Sequence, residues 1–401
     1  MSSYRFVVAR PPVKSHPALL PVFPPLESAL ANRFSSIRQP KKPFGDPRFS
    51  LTTHVVPSNF LRSTAPATSP PPPPADPTAS KDERRAVAQA RLEWVKAQQA
   101  GERGRHERVL VNVVNRYVAL KPQGHGRTVF LAHANGFPKE PAILDLLAKK
   151  GGDVDEIWAW EANHHGASFV ANHAPFTACD WSDDARDILN FLLHFLPSEV
   201  LTELPLVLPP RSPDRKRFAQ NSRLQQPQSI HPIMEPRLFT SLMLIDPVII
   251  RSTDPSTPPG HPSRTEAALS RRESWPSRQA ASDSFKSNPF FASWDPRVLE
   301  AYIEYGLVEG SDESVRLAMP ALQEALNFEA TSTSGAVWDL IPTIDPRIPL
   351  RWVVPGRPGE PEIGGPNSTQ ERVWLRPENA SNVRISQAGH LVSPSLIIRH
   401  L

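Results

Sequence analysis

VFLAHANGFPKE, Val129 to Glu140, decides the fold. Its first half is an unbroken apolar run, the pattern of a strand covered on both faces rather than on one. The run stops at His133, passes Gly136 and Pro138, and meets PAILDLLAKK (141–150). Proline at the first turn and Gly151-Gly152 behind the last predict a helix there. Strand, glycine-bearing turn and helix make one half of a parallel βαβ unit.

The same units recur on either side. RVLVNVVNRYVAL (108–120), EIWAWEA (156–162), LFTSLMLIDPVII (238–250) and IPLRWVVPG (348–356) read as strands. DWSDDARDILNFLLHFLP (180–197) reads as the strongest helix, with Trp181, Ala185, Ile188, Leu192 and Phe195 on one face. Asp183 and Asp184 stand near its positive end. This alternation predicts an α/β protein, a mostly parallel sheet with helices on both faces. Residues 251–345 interrupt it with polar sequence and helices such as PRVLEAYIEYGL (296–307), read as an inserted helical cap. The expected division is a Pro-rich basic arm over 1–80 with one strand near 49–57, and an exposed helical insertion over 81–108. Core follows over 109–250 and, after the cap, over 346–401.

Charge and composition narrow the function classes. The chain has 401 residues, 39% of them apolar, enough for a sizeable core. Residues 1–128 carry 20 Lys/Arg against 8 Asp/Glu, or +12, and the remainder carries −8, so the body offers no basic cleft for nucleic acid. Seventeen of the first 80 residues are proline, which predicts a disordered arm rather than an amphipathic targeting helix. Pro70–Pro74 reads as a stiff linker, with an SH3- or WW-type module as the alternative use. Cys179 stands alone, so no intrachain disulfide can form, and no apolar run is long enough to span a membrane. An intracellular protein is expected.

Loops at the C-terminal ends of parallel strands are where such a sheet binds ligands. Loop 133–138 is one of them. Gly136 lets backbone approach a substrate, and the Gly136 and Phe137 N–H groups are candidates to hold an oxyanion, with His133 and Asn135 as substrate contacts. His390, behind Gly389, is the candidate general base. The His164-His165 doublet has no third ligand at metal spacing in the sequence, so it reads as loop packing. Cys179 reads as a small buried filler. No cofactor motif is present and none is expected.

THVVPSNFLRSTAPAT, VFLAHANGFPKE, EANHHGASFVANH, DWSDDARDILNFL, SLMLIDPVI, RRESWPSR, ASWDPRVLEAYIEYGL and AGHLV occur in one order over residues 53–392. As an ordered set they resemble the fungal α/β-hydrolases of the peroxisomal lipase-like and host-selective-toxin-biosynthesis type. The resemblance implies the α/β-hydrolase fold, a Ser-His-acid mechanism, small acyl or lipid-like ester or thioester substrates, and in many members a peroxisomal address. For the acid, Glu362 or Glu360 follows the WVVPG strand, the more usual place, and Asp246 ends its strand in LIDP.

One departure stands out. The family's Gly-x-Ser-x-Gly elbow belongs between Pro197 and residue 238, yet no glycine occurs between Gly166 and Gly260. The segment 204–236 holds seven prolines instead. Its LPLVL could begin the central strand. Ser212, Ser222 and Ser229 lack an elbow sequence, so the nucleophile stays unassigned and a non-catalytic binding protein is the alternative. The final RHL is only loosely like the peroxisomal tripeptide SKL.

Overall fold

The computed structural model describes residues 48–76, 79–101, 103–122, 126–139, 154–172, 178–211, 221–224, 238–251, 263–310 and 313–390. The expectations for residues 1–47, for the helix at 141–150 and for the last eleven residues lie outside these.

Thirteen strands are described. β1 (Phe49–Pro57), β4 (Val111–Ala119), β5 (Arg127–Ala132), β6 (Val154–Trp160), β7 (Asn221–Leu224), β8 (Leu242–Ile245), β12 (Leu350–Pro355) and β13 (Ala380–Ile385) build the main sheet. Their spatial order is β1-β4-β6-β5-β7-β8-β12-β13. β4 runs antiparallel to both β1 and β6, and every pair from β6 to β13 is parallel. The unbroken apolar runs now have their reason. Phe130, Ala132, Trp158, Trp160, Trp352 and Val354 enter the core on one face. Val129, Leu131, Ile157, Ala159 and Val353 enter that on the other. With period-two side chains and cover on both faces, these stretches stay apolar at successive positions.

β2 (Arg62–Thr64) and β3 (Arg103–His106) form a separate pair, and β9 (Ser274–Trp275), β10 (Leu307–Glu309) and β11 (Val315–Leu317) form a small sheet in the order β10-β11-β9. The helices that matter below are α1 (Lys81–Gln99), α2 (Gly166–Asn172) and α3 (Trp181–Asn190), which continues as a π turn over Phe191–Phe195. After them come α4 (Arg264–Ser270), α5 (Arg278–Ser287), α6 (Pro289–Ala292), α7 (Pro296–Tyr305), α8 (Ala321–Glu329), α9 (Ser332–Leu340) and α10 (Ser368–Val373). α3 forms as its apolar spacing requires: Asp180 caps it by accepting from the Ser182 N–H, and Ala185, Ile188 and Leu192 are buried in the main core.

Three boundaries move. Residues 81–99 are no exposed insertion, because Leu92, Trp94 and Val95 of α1 share a core with Cys179, Leu269 of α4 and Leu326 of α8. The main sheet begins at β1, which pairs along its whole length with β4. α5 and α7 share one cluster with the small sheet β9–β11, while Val337, Trp338 and Ile341 join the main core. LPLVL is also placed differently. Val55 of β1 donates to the Leu206 carbonyl at 2.7 Å and accepts from the Leu208 N–H at 3.0 Å, so this segment lines the outer edge of the sheet. The central position between β5 and β8 belongs to Asn221–Leu224. Pro70, Pro73 and Pro74 are exposed, and just before them the Trp94 indole N–H donates to Ser69 Oγ at 3.0 Å.

Candidate active site

β5 ends at Ala132 and the chain turns. The Phe137 N–H donates to the Ala134 carbonyl at 3.1 Å, closing the turn, and Gly136 takes φ +79°, the left-handed region open to glycine. A side chain there would also collide, since a Cβ on Gly136 would lie 2.6 Å from Glu324 Oε1 on α8. The Gly136 N–H donates to His165 Nε2 at 3.0 Å. Both amides expected to hold an oxyanion are therefore engaged with internal acceptors.

His133 and Asn135, expected as substrate contacts, hold the loop in place. His133 Nε2 accepts from the Ala162 N–H at 3.1 Å, which puts the ring proton on Nδ1, 2.8 Å from the Ala134 carbonyl. Burial pushes its pKa down, in keeping with a neutral ring. Asn135 Oδ1 accepts from Asn327 Nδ2 at 2.9 Å, tying the loop to α8.

His165 was not singled out as a site residue, although the doublet was the signal. Its Nε2 accepts, so Nδ1 carries the proton, and that buried N–H has no acceptor among the described residues. Next to it Lys139 and Glu161 form a buried ion pair at 2.9 Å, and Glu161 also accepts from the Ser168 N–H. His165, Gly136 and Phe137 line a narrow crevice together with Tyr302, Tyr305 and Met319. The Phe137 ring stacks on Trp294 at 5.3 Å and meets Tyr302 edge-on, so the cap is fastened to this loop by aromatic contacts. His390 does not line this crevice.

The structure places Asp246 beside His390. His390 Nδ1 lies 3.0 Å from Asp246 Oδ2, with side chains 31% and 10% exposed. The contact is an ion-pair approach whose angle falls short of an aligned hydrogen bond. Asp246 directly follows β8 and has φ +43°, a left-handed backbone that carries strain in a residue with a side chain. Both groups sit at the C-terminal ends of parallel strands, β8 and β13.

The glutamates favoured from the sequence have other work. Glu362 accepts from the Thr369 N–H at 2.7 Å in the first turn of α10, and Glu360 accepts from the backbone N–H of His390 at 3.2 Å while pairing with Arg357. Neither carboxylate is recorded against the imidazole. Of the three serines weighed, Ser222 lies inside β7, opposite Phe130 and Leu242. Ser212 and Ser229 lie outside the described residues. Among the described residues no nucleophile stands against His390.

A scan against protein-family models finds no match. Among curated proteins the chain is similar to the type I acyl-CoA thioesterase mpaH of Penicillium roqueforti, 31% identical over 188 residues, 44% of this chain and 39% of that protein. It is similar to mpaH' of Penicillium brevicompactum at 31% over 180 residues, 43% and 38%. The chain thus matches about two fifths of the length of these relatives. Among solved structures it resembles the peroxisomal α/β-hydrolase Lpx1 of Saccharomyces cerevisiae, with TM-score 0.60, 17% identity and 88% of each chain covered. No helix among the described residues is long and apolar enough to cross a membrane. Sheet order and structural likeness agree on the fold: the chain has the α/β-hydrolase fold.

Proposed function

We propose that the chain cleaves carboxylic esters or thioesters of small acyl or lipid-like substrates, with His390 as general base and Asp246 as the carboxylate that orients it. The carrying observation is the 3.0 Å approach of these two side chains at the strand ends. In this reaction a nucleophile attacks the acyl carbonyl, His390 takes its proton, and the oxygen gains charge until the alkoxide or thiolate leaves with that proton. Water, activated in turn by His390, releases the acyl group. The strand order bears on the nucleophile: β7 ends at Leu224, between the oxyanion loop after β5 and Asp246 after β8. The family's elbow would follow that strand, and residues 225–237 hold one serine in sequence, Ser229.

Release of the Gly136 N–H from His165 on substrate binding belongs to this reading, since that amide serves an oxyanion only when freed. The acyl-CoA thioesterases of Penicillium favour a thioester, and the peroxisomal yeast hydrolase favours a peroxisomal, intracellular setting. Turnover of acyl thioesters and p-nitrophenyl esters by the purified chain, abolished in His390→Ala, is the expected result. A second reading has its own support in the closed Gly136 and Phe137 amides and the missing elbow glycines: an acyl-binding protein without turnover. Micromolar binding of acyl thioesters with no hydrolysis would select it.

A further inference from the structure

A second cluster lies behind the oxyanion loop, where the turn after β6 meets the start of α3. His164 Nδ1 is 3.6 Å from Asp184 Oδ1, and the ligand atoms of His164, Cys179 and Asp184 all lie within 4.8 Å of one another. All three side chains are buried. Their sequence spacing hides this, because α2 and the residues behind it separate His164 from Cys179 and Asp184. We propose that His164, Cys179 and Asp184 form a binding site for one zinc-class divalent ion.

Geometry and charge both favour it. Tetrahedral zinc with bonds of roughly 2.0–2.3 Å sets its ligand atoms about 3.3–3.8 Å apart, a range that already includes the His164–Asp184 separation. Thiolate, imidazole and carboxylate are the donor types such an ion selects, and three ligands leave a fourth position for water. Asp184 is 5% exposed, and the His164 ring approaches its carboxylate. Its neighbours are already committed: Asp183 and Asp187 share Arg62, and Asp183 also holds Arg186. Asp180, Asp183 and Asp187 crowd Asp184 with like charge, and Arg62 is the cation that Asp183, Asp184 and Asp187 share. A divalent ion balances the Asp184 carboxylate and the Cys179 thiolate together.

Burial pushes the Cys179 thiol and the Asp184 carboxyl up and holds His164 down at about 3, so His164 is neutral and ready to ligate. Binding therefore expels one proton each from Cys179 and Asp184 to solvent, and uptake strengthens with rising pH. The ion's role is to staple the turn Asn163–His165, and through His165 the Gly136 amide, to the first turn of α3.

The test uses the full chain, purified without a polyhistidine tag, with metal content measured by mass spectrometry and Co²⁺ as the optical probe. One zinc per chain, and a near-ultraviolet thiolate-to-cobalt band that grows to one equivalent, are expected. Cys179→Ser should remove the band, and Asp184→Asn should weaken uptake by more than about 100-fold, since losing a ligand exceeds the loss of an outer-shell partner. Should the variants fail to fold, the wild-type chain decides alone: no zinc on isolation and no thiolate band at one equivalent of Co²⁺ overturns the site. Wild-type metal uptake by folded Cys179→Ser also overturns it.

Discussion

Asp246→Asn removes one charge from the pair on which the functional reading stands. In the transition state His390 becomes an imidazolium 3.0 Å from the carboxylate oxygen. Coulomb's law at that distance gives about 5.5 kcal/mol at an effective dielectric of 20 and about 1.4 kcal/mol in bulk water. His390 is 31% and Asp246 10% exposed, so the pair lies between these limits and solvent screening trims the upper one. A loss of about 2–4 kcal/mol in transition-state stabilisation follows, or roughly 30- to 1,000-fold in kcat. The assay is steady-state hydrolysis of a p-nitrophenyl ester and an acyl thioester, with circular dichroism to confirm folding. Glu362→Gln is the control: it weakens an amide contact at the start of α10, costing about 1 kcal/mol of stability, and leaves kcat unchanged. The reasoning is refuted if Asp246→Asn keeps wild-type kcat while His390→Ala is inactive.

Three further outcomes can be checked on the folded chain. Arg62→Met strands the buried Asp183 and Asp187 carboxylates, which lie 3.4 and 2.5 Å from the guanidinium, and should cost about 3–5 kcal/mol in urea melts; a loss below about 1 kcal/mol would contradict the pairing. Gly136→Ala must force a side chain into a left-handed backbone against Glu324, so it should lower Tm and weaken substrate binding, whereas an unchanged Tm would show the turn to be permissive. His133 has its pKa pushed down by burial, so the folded chain resists a proton that the unfolded chain accepts below about pH 6.5. Its contribution is present above that pH and is lost as pH falls, by up to about 1.4 kcal/mol per unit. Urea melts at pH 7 and pH 5 should show this decline, with a shallower slope in His133→Asn.

The sheet was legible because burial on both faces leaves an unmistakable mark. TVFLA and WAW could be nothing but covered strands, and each falls in the main sheet. What escaped was set by long-range packing. α1 carries a thin apolar stripe, yet α4 and α8 cover it, and no local pattern reveals a helix's partners. NSRL has no strand character; its place between β5 and β8 comes from tertiary pairing that overrides propensity. At the candidate site, the glycine marks His390 in the sequence, while nothing there marks Asp246 as its neighbour. Glu362 and Asp246 are both loop acids at strand ends, and only the fold shows that one is engaged at a helix start and the other meets the imidazole. The Cys179–His164–Asp184 cluster was invisible for the same reason.

The most direct test of the acyl-transfer account is labelling with a fluorophosphonate, which reacts covalently with an activated serine, followed by peptide mass spectrometry. The account predicts an adduct on a single serine, and its disappearance in His390→Ala. No adduct on the folded wild-type chain, or labelling unchanged by His390→Ala, would contradict it.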